Sequence, residues 1–238
     1  MKEHIYTIPV TDAFKEQSEC PFCAMYVTLE AAEINFTLGP SYMEDDIRKK
    51  TNESGFCAEH FRKLFAGKNR LGLALMTQTH FACVQKEVAK LLSSGGLKKS
   101  MFAKSESGLR ISEYVRRLND SCFICEKIDN TFQRYVDTFF HLWKNNKEVK
   151  ELFAQSAGFC LPHLAMLYDN VAAKLDSKQT ADFTAAIAEL QTANMRRLEE
   201  ELDWFIKKFD YRYKNEPWHN SKDALPRMIL KLTSKLPE

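Results

Sequence analysis

Six of the seven cysteines in this chain fall into two matched sets, and each set carries a histidine. The first set is Cys20-Pro21-Phe22-Cys23, followed by Gly55-Phe56-Cys57-Ala58-Glu59-His60. The second is Cys122-Phe123-Ile124-Cys125, followed by Gly158-Phe159-Cys160-Leu161-Pro162-His163. The C-x-x-C pairs are offset by 102 residues and the C-x-x-H pairs by 103. Two thiolates at this spacing reach one cation from a single turn of chain. A Cys and a His so spaced on the first turn of a helix face the same side. Three sulfurs and one imidazole make a closed Cys3His set, which suits tetrahedral zinc. The same soft donors suit an iron–sulfur cluster, so the ligand types alone do not choose the metal. Cysteines buried merely as small hydrophobes would not fall into register twice.

The half-sites can pair within a copy or across the duplication. Pairing within a copy closes loops of about 34 residues and is favoured by roughly 1 kcal/mol of closure entropy. A duplicated unit that carries its own ligands is the stronger reason. The expectation is therefore one site of Cys20, Cys23, Cys57 and His60, and another of Cys122, Cys125, Cys160 and His163. Two zinc ions are the expected cofactors, with an iron–sulfur cluster as the alternative. The glycine before each Phe-Cys is expected at a turn that needs positive φ.

These residues must be positioned by helices, because no segment alternates with a period of two. The expected fold is all-α: two tandem related units of about four helices, packed as a pseudo-symmetric bundle, plus a C-terminal helix. In each unit the first helix starts at C-x-x-C, the second is short, the third starts at C-x-x-H and the fourth is long. The positive ends of the first and third helix dipoles would then face the thiolates. Residues 1–94 form the first repeat and 109–213 the second. Gly95-Gly96 and a Ser-Glu-Ser-Gly run mark 95–108 as a linker. Residues 214–238 hold a loop and a last helix, with Asp223 as cap and Pro226 in the first turn. Residues 1–10 are expected extended up to Pro9, with a short helix from Thr11 to about Ser18. The longest helix, from Ser177 to about Tyr213, repeats apolar residues at three and four, with Asn194 interrupting the stripe.

The paired half-sites, with the late Asp223-Ala224-Leu225-Pro226-Arg227, resemble a bacterial cytoplasmic family of unknown function. The resemblance covers nearly the whole chain. It implies an all-helical metal-site protein and carries no activity and no catalytic residue.

Composition narrows the partners. The chain has 238 residues, 45% hydrophobic and 28% charged, with a formal net charge of +2. That balance lacks the basic face that nucleic acid demands. Lys98, Lys99 and Lys104, and the pairs Arg116-Arg117 and Arg196-Arg197, read as solvated helix faces. The most apolar run, Leu71 to Met76, is too short to cross a bilayer, and the first ten residues do not read as a signal peptide. The expectation is a cytoplasmic protein without nucleic-acid or membrane partners, whose thiols serve as ligands or redox groups. Its partner would be a protein or a small molecule. Oligomeric state and enzymatic activity are left open, since no phosphate loop, G-x-S-x-G or H-E-x-x-H occurs.

Competing readings are a helical dithiol protein built on Cys20-Pro21-Phe22-Cys23 and a metal-handling or sensor protein. His80 and Cys83, three apart on one helix, read as a half-exposed imidazole and a buried thiol, with an extra ligand pair as the alternative. His141, beside Phe139, Phe140 and Trp143, reads as a core histidine. His4 and His219 read as surface residues.

Overall fold

The computed structural model describes residues 4–93 and 110–236, and these contain eleven α-helices and no strand. In order they are α1 (His4–Lys15), α2 (Pro21–Leu38), α3 (Asp45–Ser54), α4 (Ala58–Ala66), α5 (Arg70–Ser93), α6 (Arg110–Asp120), α7 (Phe123–Asn145), α8 (Lys147–Gln155), α9 (Leu161–Lys174), α10 (Ser177–Lys207) and α11 (Ala224–Thr233). The all-α expectation holds. The expected linker at 95–108 lies outside the described residues.

Contacts divide the chain into two compact units, and these are not the tandem repeats in sequence order. One unit is discontinuous, Met1–Thr28 with Thr131–Glu238; the other is continuous, Leu29–Asn130. The boundaries fall inside α2 and α7.

In the discontinuous unit α1 packs on α8, and α9, α10 and α11 pack on one another. Its core is aromatic. Phe14, Phe22, Phe139, Phe140, Phe153, Phe159 and Phe183 are all buried. Phe14 stacks on Phe139 at 5.3 Å, and Phe22 meets Phe139 edge-on at 5.4 Å. Offset and edge-on pairs of this kind add to the area that each ring removes from water. A capping box at Asp176 and Gln179 starts α10, satisfying two orphan N–H groups.

The continuous unit packs α3, α4 and α6 against α5. Leu64 and Met76 are fully buried there, with Ile47 and Leu73 close to it.

Three expectations about elements need correction. Residues 4–10 are helical, with Pro9 inside α1. Burial of Val10, Ala13 and Phe14 against the aromatic core outweighs the hydrogen bond that proline removes. In α2 the inward face carries Phe22, Met25 and Leu29, while Val27, which fits the same apolar helical period in sequence, is 61% exposed. The longest helix ends at Lys207, and residues 211–213 form a 3-10 turn. Asp210 accepts the backbone N–H of Arg212 there and starts that turn.

Candidate metal centres

Each unit contains one cluster of three cysteines and a histidine. The discontinuous unit gathers Cys20, Cys23, Cys160 and His163, and the continuous unit gathers Cys57, His60, Cys122 and Cys125. All eight residues singled out by spacing therefore meet in fours, but the expected pairing is wrong. Each C-x-x-C takes its C-x-x-H from the other copy.

Local hydrogen bonds explain the exchange. In the continuous unit Phe123 N donates to Gly55 O at 3.0 Å, and Ser121 Oγ donates to Ser54 O at 2.8 Å. The turn before Cys57 is thereby stitched to the turn before Cys122. In the discontinuous unit a side chain makes the same stitch. The buried Lys231 amine of α11 donates to Glu19 O and Ala157 O, joining the residue before Cys20 to the loop before Cys160. It also lies 3.2 Å from the Glu19 carboxylate. Burial pushes the Lys231 pKa down even though Glu19 opposes the shift. Arg197 and Arg227 complete the shell around Glu19, at 2.8 and 3.1 Å. None of these residues stood out in the sequence, because nothing local marks Lys231 or Glu19 as buried.

The helix dipoles behave as expected, with partners exchanged. Cys160 caps α9 and Cys57 caps α4, while Cys20 and Cys122 immediately precede α2 and α7. Four helix N-termini thus face the two sets of thiols, an arrangement that favours thiolate.

Two glycines shape the turns. Gly55 has φ +60° and Gly158 φ +74°, a region that penalises a side chain. Each also lies under a residue of a long helix. A Cβ on Gly55 would stand 2.4 Å from His80 Nε2, and one on Gly158 would stand 2.8 Å from Gln191 Oε1. The buried Gln191 amide accepts from Phe159 N at 2.9 Å and donates to Phe159 O at 2.8 Å. Asn194, which the sequence flagged, makes the lesser contact, donating to Ser156 O at 3.3 Å.

The donor geometry suits one ion per cluster. In the first, Cys160 Sγ lies 3.7 Å from Cys20 Sγ and 3.6 Å from Cys23 Sγ. His163 Nδ1 lies 3.5, 3.4 and 3.1 Å from the sulfurs of Cys20, Cys23 and Cys160. In the second, Cys57 Sγ and Cys125 Sγ are 3.9 Å apart. His60 Nδ1 lies 3.2, 3.3 and 3.3 Å from Cys57, Cys122 and Cys125. Bonds of about 2.3 Å to sulfur and about 2.0 Å to nitrogen give tetrahedron edges of about 3.8 Å and about 3.5 Å. The observed edges are close to both. A disulfide needs sulfurs about 2.0 Å apart, and all seven cysteines are free.

Protonation tells the same story. Burial opposes ionisation of Cys20, yet hydrogen bonds with Cys160, Cys23 and His163 bring its pKa well below the ordinary thiol value. Hydrogen bonding with Cys160 and Cys20, then burial, drives the Cys23 thiol far upward. The Cys160 thiol rises to about 12, chiefly through Cys20. Burial and then Cys122 raise Cys125. Crowded sulfurs tolerate few negative charges among themselves. A divalent cation would supply the missing charge, and its binding would expel the remaining protons.

The shells around the two histidines differ. His60 Nε2 lies 3.2 Å from Glu30 Oε1, and Glu30 Oε2 accepts from Lys63 Nζ at 2.6 Å. Burial lowers the His60 pKa against the pull of Glu30, which favours the neutral ring that a ligand needs. A carboxylate behind a ligating imidazole fixes its orientation and raises its basicity. His163 has aromatic neighbours instead, Phe22 at 5.8 Å and Phe132 at 5.5 Å. Glu30 and Phe132 occupy corresponding places, each ten residues beyond the first cysteine of its helix.

The remaining flagged residues lie outside both clusters. His80 donates from Nδ1 to Asn52 O at 2.8 Å. Cys83 is exposed, not buried as expected. His141 is exposed too, with Asn145 donating to its carbonyl at 2.9 Å; the aromatic run around it turns its other residues inward. His219 is exposed and lies 5.7 Å from the Trp204 ring.

A family description of unknown function, DUF6062, matches residues 1–238. The chain belongs to the DUF6062 family. No curated protein and no solved structure matches it. Among the described residues no helix is long and apolar enough to cross a membrane.

Proposed function

We propose that this DUF6062 protein binds two zinc ions, one per Cys3His cluster, and that each ion is a structural staple. Each ion would join a C-x-x-C from one sequence copy to a C-x-x-H from the other. The observation that carries this reading is the set of donor distances, whose edges fit a single tetrahedron of zinc dimensions. Four protein ligands leave no open position for a substrate, which is the mark of a structural site. An iron–sulfur cluster spreads its four ligands over two or more irons, so the full set spans more than the edges of one tetrahedron. Zinc at these sites would supply charge to hold the thiolates ionised. The residues themselves orient it, through Glu30 behind His60 and through Lys231 bridging the loops beside Cys20 and Cys160.

A second reading is favoured at one place. Cys57 and Cys125 are half-exposed with sulfurs 3.9 Å apart, close enough that, without metal, a small disulfide oxidant could take their two electrons and two protons and leave them joined as a disulfide. Dithiol exchange that survives complete removal of metal would support that reading over the structural one.

The test is anaerobic purification followed by elemental analysis. The expected result is a colourless protein with about two zinc ions per chain, one for each closed site. A brown protein absorbing near about 400 nm would replace zinc with iron–sulfur chemistry.

A further inference from the structure

The continuous unit holds a cavity of about 650 Å³ that neither cluster uses. That volume lies in the range of small-molecule sites. Its walls come from α3, α5 and α6, and they carry Arg48, Lys49, His80, Cys83, Tyr114 and Arg117. We propose that this cavity binds a small molecule bearing an oxyanion, a phosphate or a carboxylate.

Three observations support this. First, Arg48 is held in place. Its Nη2 donates to Leu75 O at 3.0 Å and to Thr79 Oγ1 at 2.9 Å, and Thr79 in turn donates to Asn52 Oδ1. One edge of the guanidinium is tethered, and the other donors are left for a ligand. With Nη2 engaged, Nη1 and Nε–H remain as donors to a ligand oxygen on a guanidinium held in place.

Second, the cations here lack carboxylate partners. Lys63 and Lys127 of the same unit each find a glutamate at 2.6 Å. Among the described residues Arg48, Lys49 and Arg117 make no ion pair, although Asp45 and Glu53 share the cavity wall. Three cations against two carboxylates leave the cavity net positive.

Third, His80 is oriented. A carbonyl only accepts, so the bond to Asn52 O places the ring proton on Nδ1. Nε2 packs against the Gly55 turn, so the ring is held from both sides as a fixed part of the cavity wall. In the discontinuous unit the residue over the glycine is Gln191, and both ends of its amide are used on Phe159. His80 in that place makes one backbone bond and lines an open cavity instead. Ser54 and Ser121 also line the wall, so a bound acid would touch the turns leading to Cys57 and Cys122.

Cys83 provides the readout, because it lines this cavity and is exposed. The full chain is labelled with iodoacetamide at constant ionic strength, and Cys83 is followed by peptide mapping. The measurement therefore does not depend on what the clusters bind. The probes are inorganic phosphate and succinate. Labelling should slow saturably with at least one of them, by about tenfold at ten times its dissociation constant. Protection by phosphate alone or by succinate alone identifies which oxyanion the site takes. Arg117→Ala, which removes an exposed side chain, and Arg48→Ala should both abolish the protection. An unchanged rate with both probes, or protection that persists in both variants, would overturn the proposal.

Discussion

His60 has three sulfurs around Nδ1 and the Glu30 carboxylate 3.2 Å from Nε2. His163 has the sulfurs but rests on phenyl rings. The two ions should therefore differ in how tightly they are held. Glu30→Gln keeps the size of the side chain and removes its charge. It should weaken metal retention at the Cys57 cluster by about 10–100-fold, the usual effect of losing an outer-shell partner. Chelator competition would measure this, and the other cluster should be unaffected. Equal loss from both clusters, or from neither, would remove Glu30 from this role. At the residue scale the sequence is legible where chemistry repeats: all eight clustered residues and both positive-φ glycines are readable from spacing. Glu30, Gln191, Glu19 and Lys231 are not. Each acts through burial and through a partner at least 30 residues away in sequence.

At the scale of elements, α11 does for one cluster what a backbone bond does for the other. Lys231 reaches Glu19 O, Ala157 O and the Glu19 carboxylate together. Lys231→Met would fill the space but leave these buried acceptors without that donor. The expected cost is about 2–5 kcal/mol, read by urea denaturation. Metal should be lost first from the Cys20 cluster. A stable variant with that cluster intact would mean that α11 is a bystander. The helices themselves were largely legible. The starts of α2, α4, α7 and α9 follow from their motifs. The start of α1 was not legible, because Pro9 reads as a stop until the burial of Phe14 is seen. The face of α2 is not legible in sequence because its first two turns belong to one unit and the rest to the other.

At the scale of the whole molecule, the misreading was the pairing. Loop-closure entropy favours neighbours in sequence by only about 1 kcal/mol per site. A few buried hydrogen bonds outweigh that, each contributing about 1 kcal/mol net, and here they join segments from opposite copies. Because Cys23 and Cys160 are separated by 137 residues and Cys57 and Cys125 by 68, each ion would link distant parts of the chain. Such links restrict the unfolded chain more than local ones would.

The most direct test of this account is the zinc content of two double variants, Cys23→Ser with Cys160→Ser and Cys23→Ser with Cys57→Ser. The exchanged pairing predicts about one zinc per chain in the first, where both changes fall in one cluster, and about none in the second, where both clusters are broken. The opposite pattern would restore pairing within each copy and contradict the account.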